Sequence, residues 1–143
     1  MCPEIGDLFP DAFKEIHATA KVTAQSIIIL RIPSFKADYD KFIILLTTSI
    51  DGEQMAAVCI NTKPSPKSNH IIIKQSEYDF LKYDSHIDCS VIIPFDKNWL
   101  KDLLKKEPYR YIGEISAAQY IDIVLKLRNS PSISDAQREK FKL

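Results

Sequence analysis

The chain has 143 residues, of which 45% are hydrophobic and 27% are charged, a composition typical of one globular domain that buries a core. Its 19 basic and 19 acidic residues cancel, so it lacks the global positive field that drives nonspecific binding to nucleic acids or anionic membranes, and any site for a polyanion must be a local patch. No apolar run reaches the roughly 18 residues of a membrane span, and three cysteines without CxxC spacing favour a reducing compartment, so we expect a cytoplasmic protein with no membrane attachment.

The first half of the chain is predicted to form a short helix followed by antiparallel strands. Residues 10–20 have the spacing of an amphipathic helix with Phe13 and Ile16 directed inward. An Asp51-Gly52 pair predicts a tight turn between two of the strands. Runs of β-branched and other apolar residues predict strands at 26–32, 41–48, 55–62 and 70–74.

The segment 84–90 contains the side-chain types that hydrolases use as nucleophile, base and orienting group. Residues 86–91 alternate polar and apolar, which predicts a half-buried strand with His86, Asp88 and Ser90 on its polar face. At about 3.3 Å per residue, His86 and Ser90 lie roughly 13 Å apart, so no triad can form within the strand. A metal site at His86 and Asp88 needs a third ligand, and we predict none, because His17 and His70 occur in unrelated contexts. The residues expected to face the core are Ile87, Cys89 and Val91.

The last third of the chain changes to helical periodicity. Asp96 is a candidate cap for a helix over residues 96–106, and Ser116 with Gln119 forms a capping-box pattern after a last strand at 109–115. The same pattern recurs at Ser134. The apolar faces predicted for the two longer helices consist of Trp99, Leu100, Leu103 and Leu104 in the first, and of Ala117, Tyr120, Ile121, Val124 and Leu127 or Leu125 in the second.

Many short strands with a few inserted helices favour a mainly β fold over a parallel α/β sheet. We predict a small SH3-like β-barrel of five or six antiparallel strands, with a C-terminal helix packed on it. The single domain, residues 1–143, divides into a poorly defined N-terminal extension (1–24), the barrel (25–115) with its helical insert at 96–106, and the C-terminal helices (116–143).

Two stretches, "DFLKYDSHIDCS" and "YIGEISAAQYIDIVLKL", follow a "KFIILL" strand, a DG turn and an "AAVCINT" strand. This arrangement, over roughly residues 25–143, resembles the MazF/PemK-like toxin family of SH3-like barrels. The resemblance implies an endoribonuclease that cleaves single-stranded RNA as a homodimer, needs no metal or other cofactor, and is silenced by a cognate antitoxin protein. A surplus of apolar strand residues such as "FIILL" also favours a homodimer.

The resemblance also implies site residues. The catalytic threonine or serine of the family corresponds to Thr62, and Lys41 stands where the family has a catalytic arginine. In a hairpin of the two strands, both lie at the end opposite the turn. Independently of the resemblance, lysines in the two neighbouring loops suggest phosphate contacts, so the expected RNA-binding residues are Lys36, Lys63 and Lys67. Because lysine lacks the planar fork of arginine and has an ordinary pKa near 10.4, we expect activity that is weak or absent.

Other interpretations remain open from the sequence. The lysines are also what solvated loops usually carry, and Thr62 is also a plausible strand end. A catalytically silent SH3-like barrel could bind protein or RNA, with the loop aromatics Phe35, Tyr39 and Tyr78 lining a groove. A purely structural role is the third interpretation.

Overall fold

The centre of the fold is a curled antiparallel sheet. The structure is a computed structural model that describes residues 11–32, 39–63 and 69–143, and that part of the chain contains six strands in the order β4-β5-β3-β2-β1-β6. Every neighbouring pair is antiparallel, and the sheet bends into a half-barrel. The strands are β1 (Ser26–Leu30), β2 (Lys41–Thr48), β3 (Gln54–Asn61), β4 (His70–Ile73), β5 (Ser85–Asp96) and β6 (Tyr111–Glu114).

The described residues also form four helices, α1 (Asp11–Lys21), α2 (Lys97–Lys106), α3 (Ala117–Arg128) and α4 (Asp135–Lys140). Three predicted caps are confirmed: the side chains of Asp96, Ser116 and Ser134 accept hydrogen bonds from the backbone N–H three residues further on, at 2.9, 3.2 and 3.2 Å. These bonds satisfy donors that a helix start otherwise leaves unpaired. No helix in the described segments is long and apolar enough to cross a membrane.

Helices cover both faces of the sheet. On one face, Ile123 and Leu127 of α3 are fully buried in a core cluster, and on the other face Leu100 and Leu104 of α2 join Ala18 of α1 in a second cluster. The predicted fold class, mainly β with added helices and a C-terminal helix packed on a small curved sheet, is confirmed.

The position of β2 inside the sheet, with both faces covered, explains why its sequence is apolar without interruption. Ile44 and Leu46 belong to one core cluster, Ile43 and Leu45 belong to the other, and all four are 0% exposed. These side chains are not surplus, because each face of the strand has its own helical cover. The "FIILL" run therefore gives no support for a homodimer, and the homodimer itself stays a prediction.

Two helices are rotated relative to the predicted faces. Phe13 and Ile16 of α1 are 59% and 64% exposed, because α1 packs through the small side chain of Ala18. In α3, Ile121 and Leu125 point to solvent, since Ile123 and Leu127 occupy the centre of its buried face. Four further residues that are predicted to face inward are not fully buried. Trp99 and Ala117 are exposed, and Leu103 and Val124 are half-buried.

A bulge in β5 breaks the predicted alternation. Between the pairs Ala57–Ile93 and Cys59–Asp88, β3 advances by two residues and β5 by five. Ile87 and Cys89 are buried as predicted, but Val91 lies within the bulge and is 50% exposed. The extra residues also reverse the order in which side chains alternate between the two faces, so that Ile93 packs on the opposite face of the sheet from Ile87.

Candidate functional site

An open cleft of about 680 Å³ lies at the end of the half-barrel where β2 begins and β3 ends. The start of β5 and the segment before it complete the wall. Part of the lining is apolar and comes from strand residues and the 78–84 segment: Ile29, Phe42, Ile60, Phe80 and Leu81. The cleft thus offers an apolar surface open to solvent.

Aromatic contacts hold one wall of the cleft in place. The rings of Phe42 and Phe80 lie 4.7 Å apart, and Phe80 contacts Tyr78 at 6.0 Å between centroids. The Tyr78 hydroxyl accepts a hydrogen bond from the Ser116 N–H and donates one to Gln119 Oε1, both at 3.0 Å. Tyr78 therefore anchors the 78–84 segment to the start of α3, and it is not among the described residues that line this cleft.

The polar rim of the cleft carries a local positive charge. Among the described residues, its lining includes Lys41, Lys63 and Lys82 but only one carboxylate, Asp40. Tyr39 and Tyr83 line the same space. A neutral chain thus carries the kind of local cationic patch that binding a polyanion would require.

The β2–β3 ladder places Lys41 beside Asn61. The pair Ile43–Cys59 is in register, so Lys41 and Asn61 fall opposite each other two residues further along the strands. Lys41 Nζ donates to Asn61 Oδ1 at 2.9 Å and lies 5.7 Å from the centroid of the Tyr39 ring. The ammonium group is therefore oriented by its neighbours at the cleft.

Three of the five predicted site residues line this cleft. They are Lys41, Thr62 and Lys63, and the Thr62 hydroxyl lies 3.3 Å from the Tyr83 hydroxyl. The other two, Lys36 and Lys67, lie outside the described residues, as does Phe35. Tyr39, considered as a groove residue, does line the cleft.

The sequence interpretation missed the contribution of the segment that precedes β5. The structure has a 3₁₀ turn at Gln75–Glu77, and the chain that follows it brings Phe80, Lys82 and Tyr83 to the cleft. The signal was present as aromatic residues interleaved with a lysine, a pattern typical of surfaces that stack bases and hold phosphates.

The histidines of the strand pair β4–β5 are closer together than predicted. Register pairs His70 with Asp88 and Ile72 with His86, which sets the two histidines diagonally on one face, with ring centroids 4.9 Å apart. The expectation that His70 lies in an unrelated context is wrong, because it depended on a strand pairing that the sequence does not reveal. His86 Nδ1 is buried without a hydrogen-bond partner. Within the described ranges, no group of three or more His, Cys, Asp or Glu side chains is arranged to hold a metal ion.

Two cysteines are poor nucleophiles. Burial raises the pKa of Cys59 to about 11 and that of Cys89 to about 12. At neutral pH both thiols stay protonated, and the thiolate is the reactive form. They serve as small apolar side chains in the two core clusters.

Arg110 lies next to the cleft and binds three acceptors. Its Nη1 donates to the backbone oxygen of Ile29 at 3.0 Å and to Asp40 Oδ2 at 3.2 Å, and its Nε donates to Glu107 Oε2 at 2.6 Å. This side chain is only 18% exposed. The hydrogen bond from Arg110 is the largest effect that lowers the pKa of Glu107, so Glu107 is ionised in this network.

Comparison with models of known protein families gives no match, and comparison with curated proteins gives none either. The resemblance to MazF/PemK-like toxins therefore depends on the sequence stretches quoted above.

Proposed function

We propose that this protein binds single-stranded RNA in the cleft. The observation that supports this most is that Lys41, Lys63 and Lys82 share one cleft with the phenols of Tyr39 and Tyr83. Proteins that bind single strands combine cations that follow the backbone with aromatic rings on which the bases stack.

The size of the cleft favours a single strand. A volume of about 680 Å³ is enough for an unstacked base with its sugar, whereas a duplex is contacted over successive grooves, which requires a longer surface. The apolar surface around Phe42 and Phe80 is suited to the face of a base, while the lysines at the rim are suited to its phosphates.

Fluorescence anisotropy with a labelled single-stranded RNA in EDTA tests this proposal. If about three phosphates are contacted, the logarithm of the binding constant should fall against the logarithm of the salt concentration with a slope of about 2. Lys82→Gln should reduce that slope by about 0.7. Lys101→Gln on α2 is the matched control, because Lys101 does not belong to the lining of the cleft. Wild type that binds no RNA at low salt, or an equal loss in the control, contradicts the proposal.

Cleavage of the bound RNA is a second candidate function, favoured by the presence of Lys41 and Thr62 in the same cleft. Attack of a 2′-hydroxyl on the adjacent phosphorus forms a 2′,3′-cyclic phosphate and breaks the bond to the 5′-oxygen. The step needs a proton acceptor at the 2′-hydroxyl, cations that stabilise the charged pentavalent phosphorus, and a proton for the leaving 5′-oxygen. Lys41 and Lys63 can supply that stabilisation. The Thr62 hydroxyl, 3.3 Å from the Tyr83 hydroxyl, can hydrogen-bond a phosphate oxygen.

A cleavage assay in EDTA separates the two functions. Metal-independent cleavage that Thr62→Ala abolishes supports a toxin-type endoribonuclease, and Lys41→Arg should increase the rate because arginine restores a bidentate phosphate contact. If the wild type and Lys41→Arg both bind RNA without cutting it, the protein is an RNA-binding module.

The toxin-type function brings further proposals with it: a cognate antitoxin protein that covers the cleft, a homodimer, and a cytoplasmic location. The cationic rim is complementary to an acidic protein segment, which is what an antitoxin lying across the lysines would have to present. Light scattering tests the homodimer directly, and a monomeric mass at tens of micromolar contradicts it.

A further inference from the structure

We infer that Arg110 is a positioning residue for the cleft, which neutralises Asp40 and thereby keeps the rim attractive to phosphate. This inference rests on the proposed RNA binding. Arg110 itself is not among the described residues that line the cleft.

The geometry ties Arg110 to the cleft through Asp40. Arg110 closes the 3₁₀ turn Pro108–Arg110 ahead of β6, and its guanidinium reaches across to Asp40, 70 residues earlier in the chain. The same nitrogen, Nη1, also donates to the backbone oxygen of Ile29, which is another residue of the cleft wall. One guanidinium thus connects β1, the segment before β2 and the segment before β6.

Asp40 is the residue whose charge matters. It is the one carboxylate among the described residues of the lining, and it immediately precedes Lys41. A carboxylate at that position repels an incoming phosphate, whereas a carboxylate held by a guanidinium has little net field beyond its immediate surroundings. Arg110 and the two carboxylates that it binds, Asp40 and Glu107, together carry one net negative charge, which the three lysines of the rim exceed.

Arginine is suited to this task for a geometric reason. Its planar group presents donors in several fixed directions, and here they serve Glu107, Asp40 and a backbone oxygen at once. Glu107, which is not among the described residues of the lining, accepts from Nε and so fixes the orientation of the guanidinium. A lysine has its three donors on one compact nitrogen and lacks the planar spacing of donors that these acceptors meet in arginine.

Charge arithmetic makes the inference sharply testable. Arg110→Gln makes the surroundings of the cleft more negative by one charge, Asp40→Asn makes them more positive by one, and the double variant restores the original net charge. At a separation of several ångströms in water, one charge changes affinity for a polyanion about threefold to tenfold at low salt. A merely structural role of Arg110 predicts no recovery in the double variant.

The experiment measures RNA affinity by anisotropy at low and moderate salt for the wild type, Arg110→Gln, Asp40→Asn and the double variant. We expect about threefold to tenfold weaker binding for Arg110→Gln, about threefold to tenfold tighter binding for Asp40→Asn, and an affinity within about twofold of wild type for the double variant. The matched control is the Arg138–Asp135 pair of α4, changed in the same way, which lies outside the cleft lining and should leave affinity unchanged.

The outcomes distinguish this inference from the proposed function. Wild type without RNA binding overturns both. Wild type that binds RNA, with Arg110→Gln unchanged in affinity or with a loss that Asp40→Asn does not recover, overturns the role of Arg110 alone. If Arg110→Gln does not fold, Asp40→Asn decides: folded protein that binds RNA no more tightly than wild type overturns the inference.

Discussion

Lys41 and Asn61 face each other at the mouth of the cleft, where Lys41 Nζ donates a hydrogen bond to Asn61 Oδ1 at 2.9 Å. The partners come from different strands, and the β2–β3 register alone brings them together. A lysine side chain has many rotamers and loses this freedom when it binds a phosphate. Asn61 already restricts Lys41, so Lys41 loses less conformational entropy on binding.

Asn61→Ala should therefore weaken RNA binding without removing any charge. Loss of one preorganised side chain costs about 0.5–1.5 kcal/mol of binding free energy, and the salt slope should stay as in the wild type because the number of lysines is unchanged. Anisotropy titrations at several salt concentrations measure both quantities. Asn98→Ala, at an exposed position of α2, is the control, and equal affinities of Asn61→Ala and wild type contradict the prediction.

Tyr78→Phe should destabilise the protein, because the Tyr78 hydroxyl bonds both the Ser116 N–H and Gln119 at the start of α3. We expect a loss of about 1–2 kcal/mol in the free energy of unfolding, measured by urea denaturation. Tyr120→Phe removes a phenol hydroxyl from α3 without touching Ser116 and should cost less. An equal loss for the two variants would show that the bridge contributes nothing specific.

The thiols of Cys59 and Cys89 should resist alkylation in the folded protein. In a Cys2→Ser background, iodoacetamide at pH 8 should react on the order of 100-fold more slowly with native than with urea-unfolded protein, because burial raises the pKa of both thiols. Mass spectrometry of the alkylated protein gives the rate at each cysteine. Rapid modification of native Cys59 or Cys89 would contradict their burial.

The same burial links stability to pH in a defined direction. The folded pKa of Cys59 is raised from 9.0 to about 11, so its contribution to stability is complete below pH 9.0 and is lost as the pH rises towards 11. Unfolding measured across this range should show a smaller decline in Cys59→Ala than in the wild type. An identical decline in both proteins would contradict this linkage.

Gly52→Ala should destabilise the turn between β2 and β3 by about 1 kcal/mol. Gly52 has a φ of +77°, and a Cβ there meets no atom within 4 Å, so the cost is backbone strain alone. Asn tolerates this conformation better than Ala, and Gly52→Asn should therefore lose less than Gly52→Ala in thermal unfolding. The reverse order of the two variants would rule out backbone strain as the cause.

Elements defined by local chemistry were predicted well from the sequence. The β-branched run at 41–48 coincides with β2, and Asp96 and Ser116 cap the helices that their side chains predicted, because caps and β-branched runs act within a few residues. The Asp51-Gly52 turn follows the same rule.

Features that depend on distant contacts could not be predicted. The bulge that exposes Val91 is set by how β5 pairs with β3, and the outward position of Phe13 depends on the packing of α1 through Ala18. The approach of His70 to His86 needs the β4–β5 register. In the candidate site, Lys41 and Thr62 were placed together by hairpin geometry, whereas Lys82 and Tyr83 come from a segment with no regular structure to locate it.

The start of α3 connects the two edges of the half-barrel through side-chain hydrogen bonds. Among the described strands, β4 and β6 form opposite edges of the sheet. The chain that leaves β6 returns to β4, where Gln119 Nε2 donates to the Ile72 backbone oxygen at 3.3 Å. The Tyr78 hydroxyl accepts from the Ser116 N–H beside this contact. A connection made by side chains can be lengthened or shortened by single substitutions, whereas backbone pairing between strands changes only when the whole register shifts. Substitutions in the first turn of α3 can therefore change how the 78–84 segment, one wall of the cleft, is held, with the sheet left as it is.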